Sequence, residues 1–243
     1  MTLERPLVVI PLFNEEPTLA QVLAEVRLAA PAADVLVVND GSTDRSGAIL
    51  EAERTRDPRL RVITHAENQG YGQSLIDGFA DSAARGYDAV VTIDCDAQHE
   101  PQQIPQFLAA LADADIVSGS RYLDPDIGGD PAPPDRVAIN QETTARLGDL
   151  TGYPITDAWC GFKAYRTAVL RRLSLTEPGY GMPLQVWVQA ARFGLRVREL
   201  PVPRIYKNPA RRFWGGLDDA ATRRRYYQNV LEKELARWRA YSR

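Results

Sequence analysis

The chain has 243 residues, 44% hydrophobic and 25% charged, with a formal net charge of −3 at pH 7. That suits one large α/β domain, or such a domain with an elaborated tail. No run approaches the ~18 apolar residues of a membrane-spanning helix, and Met1 to Pro6 lacks the basic and apolar regions of a signal peptide. Cys95 and Cys160 are the only cysteines, which excludes a disulfide framework and a Cys-rich zinc site. A soluble, cytoplasmic protein is expected.

Leu7 to Ile10 reads as a first buried strand, ended by Pro11. Asn14-Glu15-Glu16-Pro17-Thr18 opens a helix through about Ala30, with Asn14 or Thr18 as N-cap. Asp34 to Val38 is a second strand, ended by Asn39-Asp40-Gly41-Ser42, and residues 44–56 form a second helix. Leu60 to Ile63 is a third strand, and Asn68-Gln69-Gly70 leads into a helix through about Arg85. Ala89 to Ile93 is the fourth strand, Gln102 to Ala112 is helical, and Asp115 to Gly119 is the fifth strand. Short continuous apolar strands alternating with helices predict a mostly parallel central sheet covered on both faces.

Residues 124–135, rich in Pro, Gly and Asp, break this rhythm and predict a functional loop. A helix follows from about Val137 to Thr151, another spans 183–193, and Leu195 to Pro203 is a late strand. From about Leu217 to Trp238 a helix carries Tyr227, Leu231, Leu235 and Trp238 on one stripe. Residues 1–195 hold 16 Lys/Arg against 27 Asp/Glu, a balance of −11, whereas residues 196–243 hold 13 against 5, a balance of +8. A basic end on an acidic body predicts an anionic partner such as a membrane surface, or a solvated helix face paired with the body.

Asp94-Cys95-Asp96 ends the fourth strand, at the edge where open α/β sheets place their ligands. Hard cations take carboxylate oxygens, and a nucleotide diphosphate takes a cation beside it. Two other strand ends carry matching groups: Pro11, Phe13, Asn14 and Glu15 after the first, and Asn39, Asp40, Ser42 and Asp44 after the second. A side-chain carboxylate at such an edge can read a base by accepting its ring N–H.

The set Ile10-Pro11-Leu12-Phe13-Asn14-Glu15, Val37 to Asp44, Asn68-Gln69-Gly70-Tyr71-Gly72 and Asp94 to His99 resembles family 2 glycosyltransferases of the GT-A (Rossmann-like) fold. Ser118-Gly119-Ser120-Arg121-Tyr122 and Gly161 to Arg166 look like the dolichol-phosphate mannosyltransferase branch and its polyprenyl-phosphate relatives. The resemblance spans about residues 7 to 206. It implies a catalytic domain over 1–216 and a basic amphipathic C-terminal helix over 217–243, packed on the domain or at a membrane surface.

By that resemblance Pro11, Phe13 and Glu15 line the nucleotide pocket, and Asp40 bonds the base. The family usually has Asp-Asp where this chain has Asn39-Asp40. Asp94 lies by ribose and metal, Asp96 ligates Mg²⁺ or Mn²⁺, and Gln98 is a further oxygen ligand. His99 is read as a contact at the start of the next helix and His65 as structural. Arg121 and Arg136 hold an acceptor phosphate, with Asn140 where the branch often has Ser, and with one of Lys207, Arg211 and Arg212 as a further phosphate ligand. Asp157 faces the acceptor, as general base for a hydroxyl or as a positioning group for a phosphate. Trp159 stacks on a sugar or packs in the core.

The implied reaction is inverting, metal-dependent sugar transfer from a GDP- or UDP-sugar to a polyprenyl or dolichyl phosphate, with loop 124–135 ordering over the substrates. A lipid acceptor implies peripheral attachment, helped by Arg223 to Arg225, Arg237, Arg239 and Trp238, or a membrane-protein partner. A second copy of the chain is another candidate partner, and nucleic acid is not expected. The competing readings are a hydroxyl acceptor on the same fold, a sugar-phosphate nucleotidyltransferase, and a non-catalytic binding module. The nucleotidyltransferase normally has a Gly-rich basic loop after strand one, which Pro11 to Glu15 is not.

Overall fold

A computed structural model describes residues 4–206 and 216–240. In chain order it contains β1 (Pro6–Leu12), α1 (Glu16–Ala29), β2 (Asp34–Asn39), α2 (Ser46–Arg56), β3 (Leu60–Thr64), α3 (Tyr71–Ala84), β4 (Ala89–Thr92), α4 (Ile104–Ala110) and β5 (Ile116–Ser120). Then follow α5 (Pro134–Thr151), β6 (Lys163–Arg166), α6 (Thr167–Leu170), α7 (Met182–Arg192), β7 (Val197–Pro201) and α8 (Ala220–Ala240). Short 3₁₀ turns occupy Pro101–Gln103 and Pro125–Ile127.

The seven strands form one sheet in the order β3-β2-β1-β4-β6-β5-β7. All neighbours are parallel except β6, which runs antiparallel to both β4 and β5. The sequence reading did not resolve Lys163 to Arg166 as a strand, because charged residues bracket it. Both charges are absorbed locally: the Lys163 ammonium bonds the Cys160 carbonyl, and Arg166 bonds the Leu111, Ala112 and Ala114 carbonyls.

Every residue of β1 is buried, which explains its unbroken apolar run. Val8, Ile10 and Leu12 face Leu19, Val22 and Val26 of α1, while Leu7 and Val9 face Leu75 and Phe79 of α3 and Val186 of α7. Each such side chain contributes about 1.5–3 kcal/mol on burial. A third cluster joins Ile139 and Leu147 of α5, Leu184 and Trp187 of α7, and Tyr227, Val230 and Leu231 of α8. The α8 stripe therefore packs on the body of the protein. Glu234, 2% exposed, accepts hydrogen bonds from Gln185 and Gln189 at 2.8 Å each.

Two local expectations are corrected. Neither Asn14 nor Thr18 caps α1: Asn14 Oδ1 accepts the Thr43 amide at 2.8 Å, and Thr18 Oγ1 donates to the Cys95 carbonyl at 2.6 Å. The polar groups at this edge thus stitch strand ends together rather than finish a helix. Helix α5 starts at Pro134, inside the expected loop, because proline suits the first helical turn. Arg136 accordingly sits in that first turn.

Candidate active site

The carboxyl edge of the sheet opens into a cavity of about 1040 Å³, at the upper end of the range for ligand pockets. Pro11, Phe13, Asn14, Glu15, Asp40, Asp94, Asp96 and Gln98 line one end, and Arg121, Tyr122, Arg136, Asn140, Trp159, Tyr206, Arg223, Tyr226 and Tyr227 line the other. The acidic lining residues are Glu15, Asp40, Asp94 and Asp96, and the basic ones are Arg121, Arg136 and Arg223. Opposite charges are thus segregated along one cavity, and a ligand that spans it meets both.

At the acidic end, Asn14 adopts a φ of 54° and donates its backbone N–H to the Ser42 hydroxyl oxygen at 3.0 Å, locking the ends of β1 and β2 together. Asp40, 2% exposed, accepts the Gln69 amide on Oδ1 and the Gly70 amide on Oδ2, both at 2.8 Å. His65 Nδ1 lies 2.6 Å from the same Oδ1.

Asp94 and Asp96 occupy the turn after β4. Asp96 Oδ1 accepts the Gln98 amide at 3.0 Å, across Ala97 at a φ of 56°. A non-glycine residue in that region is uncommon, and here it turns both carboxylates and Gln98 toward one cavity. Asp94 Oδ1 accepts the Tyr71 hydroxyl at 3.0 Å. Burial, and then the Asp94 charge, push the Tyr71 hydroxyl well above its ordinary range, so it stays a donor. His99 Nδ1 accepts the Asp94 amide at 3.2 Å, so His99 braces the turn.

Gly161 closes over Asp94 from the approach to β6. A Cβ there would stand 2.4 Å from Asp94 Oδ2 and 2.8 Å from Oδ1. Gly161→Ala is expected to push the Asp94 carboxylate aside. Turnover should fall at least ~10-fold, as small misplacements near reacting groups do, with an unfolding midpoint within a few degrees of wild type. Steady-state kinetics beside a thermal melt checks this; unaltered kinetics would mean that Asp94 has room to move.

At the basic end the structure differs from the expected layout. Asp157 is fully buried and does not line the cavity. Its Oδ2 accepts Arg121 Nε at 2.7 Å and the Arg121 amide at 3.2 Å. Its Oδ1 accepts Arg121 Nη2 at 3.0 Å, Asn140 Nδ2 at 2.7 Å and the Trp159 amide at 3.0 Å. Burial pushes its pKa up, but the Arg121 charge and these bonds outweigh it and hold Asp157 at about 2. A carboxylate so placed is a weak proton acceptor. It faces Arg121, and it fixes how that guanidinium is presented to the cavity.

Asn140, one helical turn after Arg136, is 4% exposed, and its amide is engaged by Asp157 and by Thr144 at 2.8 Å. Trp159 packs against Tyr227 in a tilted pair, with ring centroids 4.0 Å apart and planes at 33°. Lys207, Arg211 and Arg212 lie outside the described residues. The sequence reading did not place Arg223, Tyr226 and Tyr227 of α8 at the cavity. The apolar stripe through Tyr227 was the one signal that this helix packs inward. Arg223 Nη2 reaches Asp135 at 2.5 Å, tying α8 to the first turn of α5.

The fold is that of known nucleotide-sugar enzymes. Glucosyl-3-phosphoglycerate synthase from Mycobacterium tuberculosis, solved in complex with Mn²⁺, UDP-glucose and phosphoglyceric acid, superposes with a TM-score of 0.73 over 95% of this chain and 79% of that one, at 21% identity. The chain belongs to glycosyl transferase family 2, whose model matches residues 7–174, and it is a glycosyltransferase. It is 35% identical to undecaprenyl-phosphate mannosyltransferase of Micrococcus luteus over 203 residues, covering 82% of each chain. It is 32% identical to polyprenol monophosphomannose synthase of Mycolicibacterium smegmatis over 206 residues, covering 82% of this chain and 77% of the relative.

Proposed function

We propose that this glycosyltransferase moves a hexose from a nucleotide-diphosphate sugar to the phosphate of a polyprenyl phosphate, with inversion at the anomeric carbon. The observation that carries this reading is the end of the cavity built from Arg121, Arg136 and Arg223, where the nearby Asp157 is spent on Arg121. Guanidinium groups bind phosphate oxygens through paired hydrogen bonds. An anionic acceptor attacks without a base, whereas a hydroxyl requires one. The two lipid-phosphate relatives support the same acceptor class.

At the other end, Pro11, Phe13, Glu15 and Asp40 bind the nucleotide. Among the described residues no group of three or more His, Cys, Asp or Glu is set to hold an ion by itself. Asp94, Asp96 and Gln98 nevertheless fit a hard cation, Mg²⁺ or Mn²⁺, since such ions are commonly held by one or two carboxylates plus substrate phosphates. When bound, the cation supplies Lewis-acid stabilisation of the departing diphosphate. Arg121, oriented by Asp157, and Arg136 hold the acceptor phosphate in line with the sugar. Among the described residues no helix is long and apolar enough to cross a membrane.

A donor screen tests this. Nucleotide diphosphate release is measured from GDP- and UDP-sugars with Mn²⁺, with and without polyprenyl phosphate. Release stimulated by the lipid phosphate is expected. Stimulation by a hydroxyl acceptor instead, with none by the lipid, would overturn the acceptor assignment and return attention to a base not yet named.

A further inference from the structure

Behind Asp40 of the donor pocket stands a buried histidine that the reaction above does not use. His65 is 8% exposed and stands between two carboxylates. Its Nδ1 lies 2.6 Å from Asp40 Oδ1 and its Nε2 2.9 Å from Asp77 Oδ2. Each ring nitrogen is thus within hydrogen-bond distance of a carboxylate oxygen, and the ring bridges Asp40 to Asp77. Asp77, on α3, is fixed in turn by Gln73 Nε2, which donates to its Oδ1 at 3.0 Å.

We propose that His65 and Asp77 are positioning residues that set which bases the donor pocket accepts, by holding the Asp40 carboxylate so that it cannot rotate. This rests on the donor-nucleotide reading of the cavity. An ionised carboxylate only accepts hydrogen bonds. It therefore favours a base with a ring N–H at its reading edge, as in uracil and guanine, and repels the lone pair that adenine or cytosine presents there. Discrimination of this kind depends on rigidity: a site built to pair a polar group rejects an analogue that leaves it unpaired. Asp40 is pinned on both oxygens by the Gln69 and Gly70 amides, and the His65 ring braces Oδ1 from a further direction. The backbone at 69–70 is itself held from outside, since a Cβ on Gly70 would lie 2.4 Å from the Pro178 carbonyl oxygen.

The test is calorimetric titration of the full chain with GDP, UDP, ADP and CDP in the presence of Mn²⁺. His65→Leu, His65→Gln and Asp77→Asn are compared with wild type. Wild type should bind GDP or UDP at least tenfold more tightly than ADP and CDP. His65→Leu should lose most of that ratio, His65→Gln should recover part of it through one N–H to Asp40, and Asp77→Asn should fall between. In turnover assays the loss should appear in the donor KM, with kcat within about threefold of wild type. A purely structural histidine would shift the unfolding midpoint and leave the base ratio alone.

An unchanged base ratio in His65→Leu would overturn the role of His65 and leave the donor site standing. A wild-type protein that binds none of the four nucleotides would instead overturn the donor-site reading, and this inference with it.

Discussion

Asp96→Ala is expected to lower metal-dependent turnover by about 10³-fold or more, with the fold intact. Asp96 lies partly exposed in a turn whose other contacts survive its truncation. These are the Thr18 bond to the Cys95 carbonyl, the His99 bond to the Asp94 amide and the Tyr71 bond to the Asp94 carboxylate. The change removes the acceptor of the Gln98 amide, a bond worth roughly 1 kcal/mol. It also removes one of the two carboxylates proposed to hold the cation. Cation stabilisation of a leaving diphosphate is worth several kcal/mol, and each 1.4 kcal/mol is tenfold in rate. Asp96→Asn separates the two effects, because an amide oxygen can keep the turn while the negative charge is gone. Kinetics over a Mn²⁺ series, beside a thermal melt, read both quantities. Wild-type turnover in Asp96→Ala would take Asp96 out of the metal assignment.

The Arg121–Asp157 pair should produce the second large effect, on stability and acceptor use together. Arg121→Ala leaves the fully buried Asp157 without its cation, at a cost of roughly 3–5 kcal/mol. That is a large part of the stability of an ordinary domain. Arg121→Lys retains the charge and loses the planar fork, so it should fold, yet raise the KM for the acceptor phosphate by about tenfold or more.

The pair also predicts an acid dependence. The pKa of Asp157 is held at about 2 in the folded protein against an ordinary 3.8. The unfolded chain therefore binds the proton more readily, and the pair contributes about 2 kcal/mol at neutral pH. That contribution is fully present above pH ~4 and fades as the pH falls through ~2. Asp157→Asn should flatten this part of the stability profile in urea titrations between pH 2 and 5. An unaltered slope would show that Asp157 is not ionised in the folded state.

The central strands were legible because burial on both faces demands continuous apolar runs, as in β1, β2 and β4. Strand β6 was not, since a strand can carry Lys163 and Arg166 when backbone carbonyls elsewhere absorb the charges, and no local pattern encodes those partners. The strand-end carboxylates at 40, 94 and 96 could be found because topology alone brings parallel strand ends to one edge. The orientation of Asp157 could not, because it depends on Arg121 and Asn140 arriving from β5 and α5. The inward face of α8 was visible as a stripe at Tyr227 and Leu231. Its presence at the cavity was not, because that depends on how α5 and α7 seat it.

The arginine-lined end of the cavity has a consequence for the close of the catalytic cycle. A lipid phosphate of the proposed kind enters as a monoester with a charge between −1 and −2. It would leave as a diester with a single charge and one oxygen fewer able to accept hydrogen bonds. Guanidinium groups suited to the first species grip the second less well. The same cations that capture the acceptor would therefore loosen their hold once the new bond has formed, so that glycosylation itself would favour departure of the product.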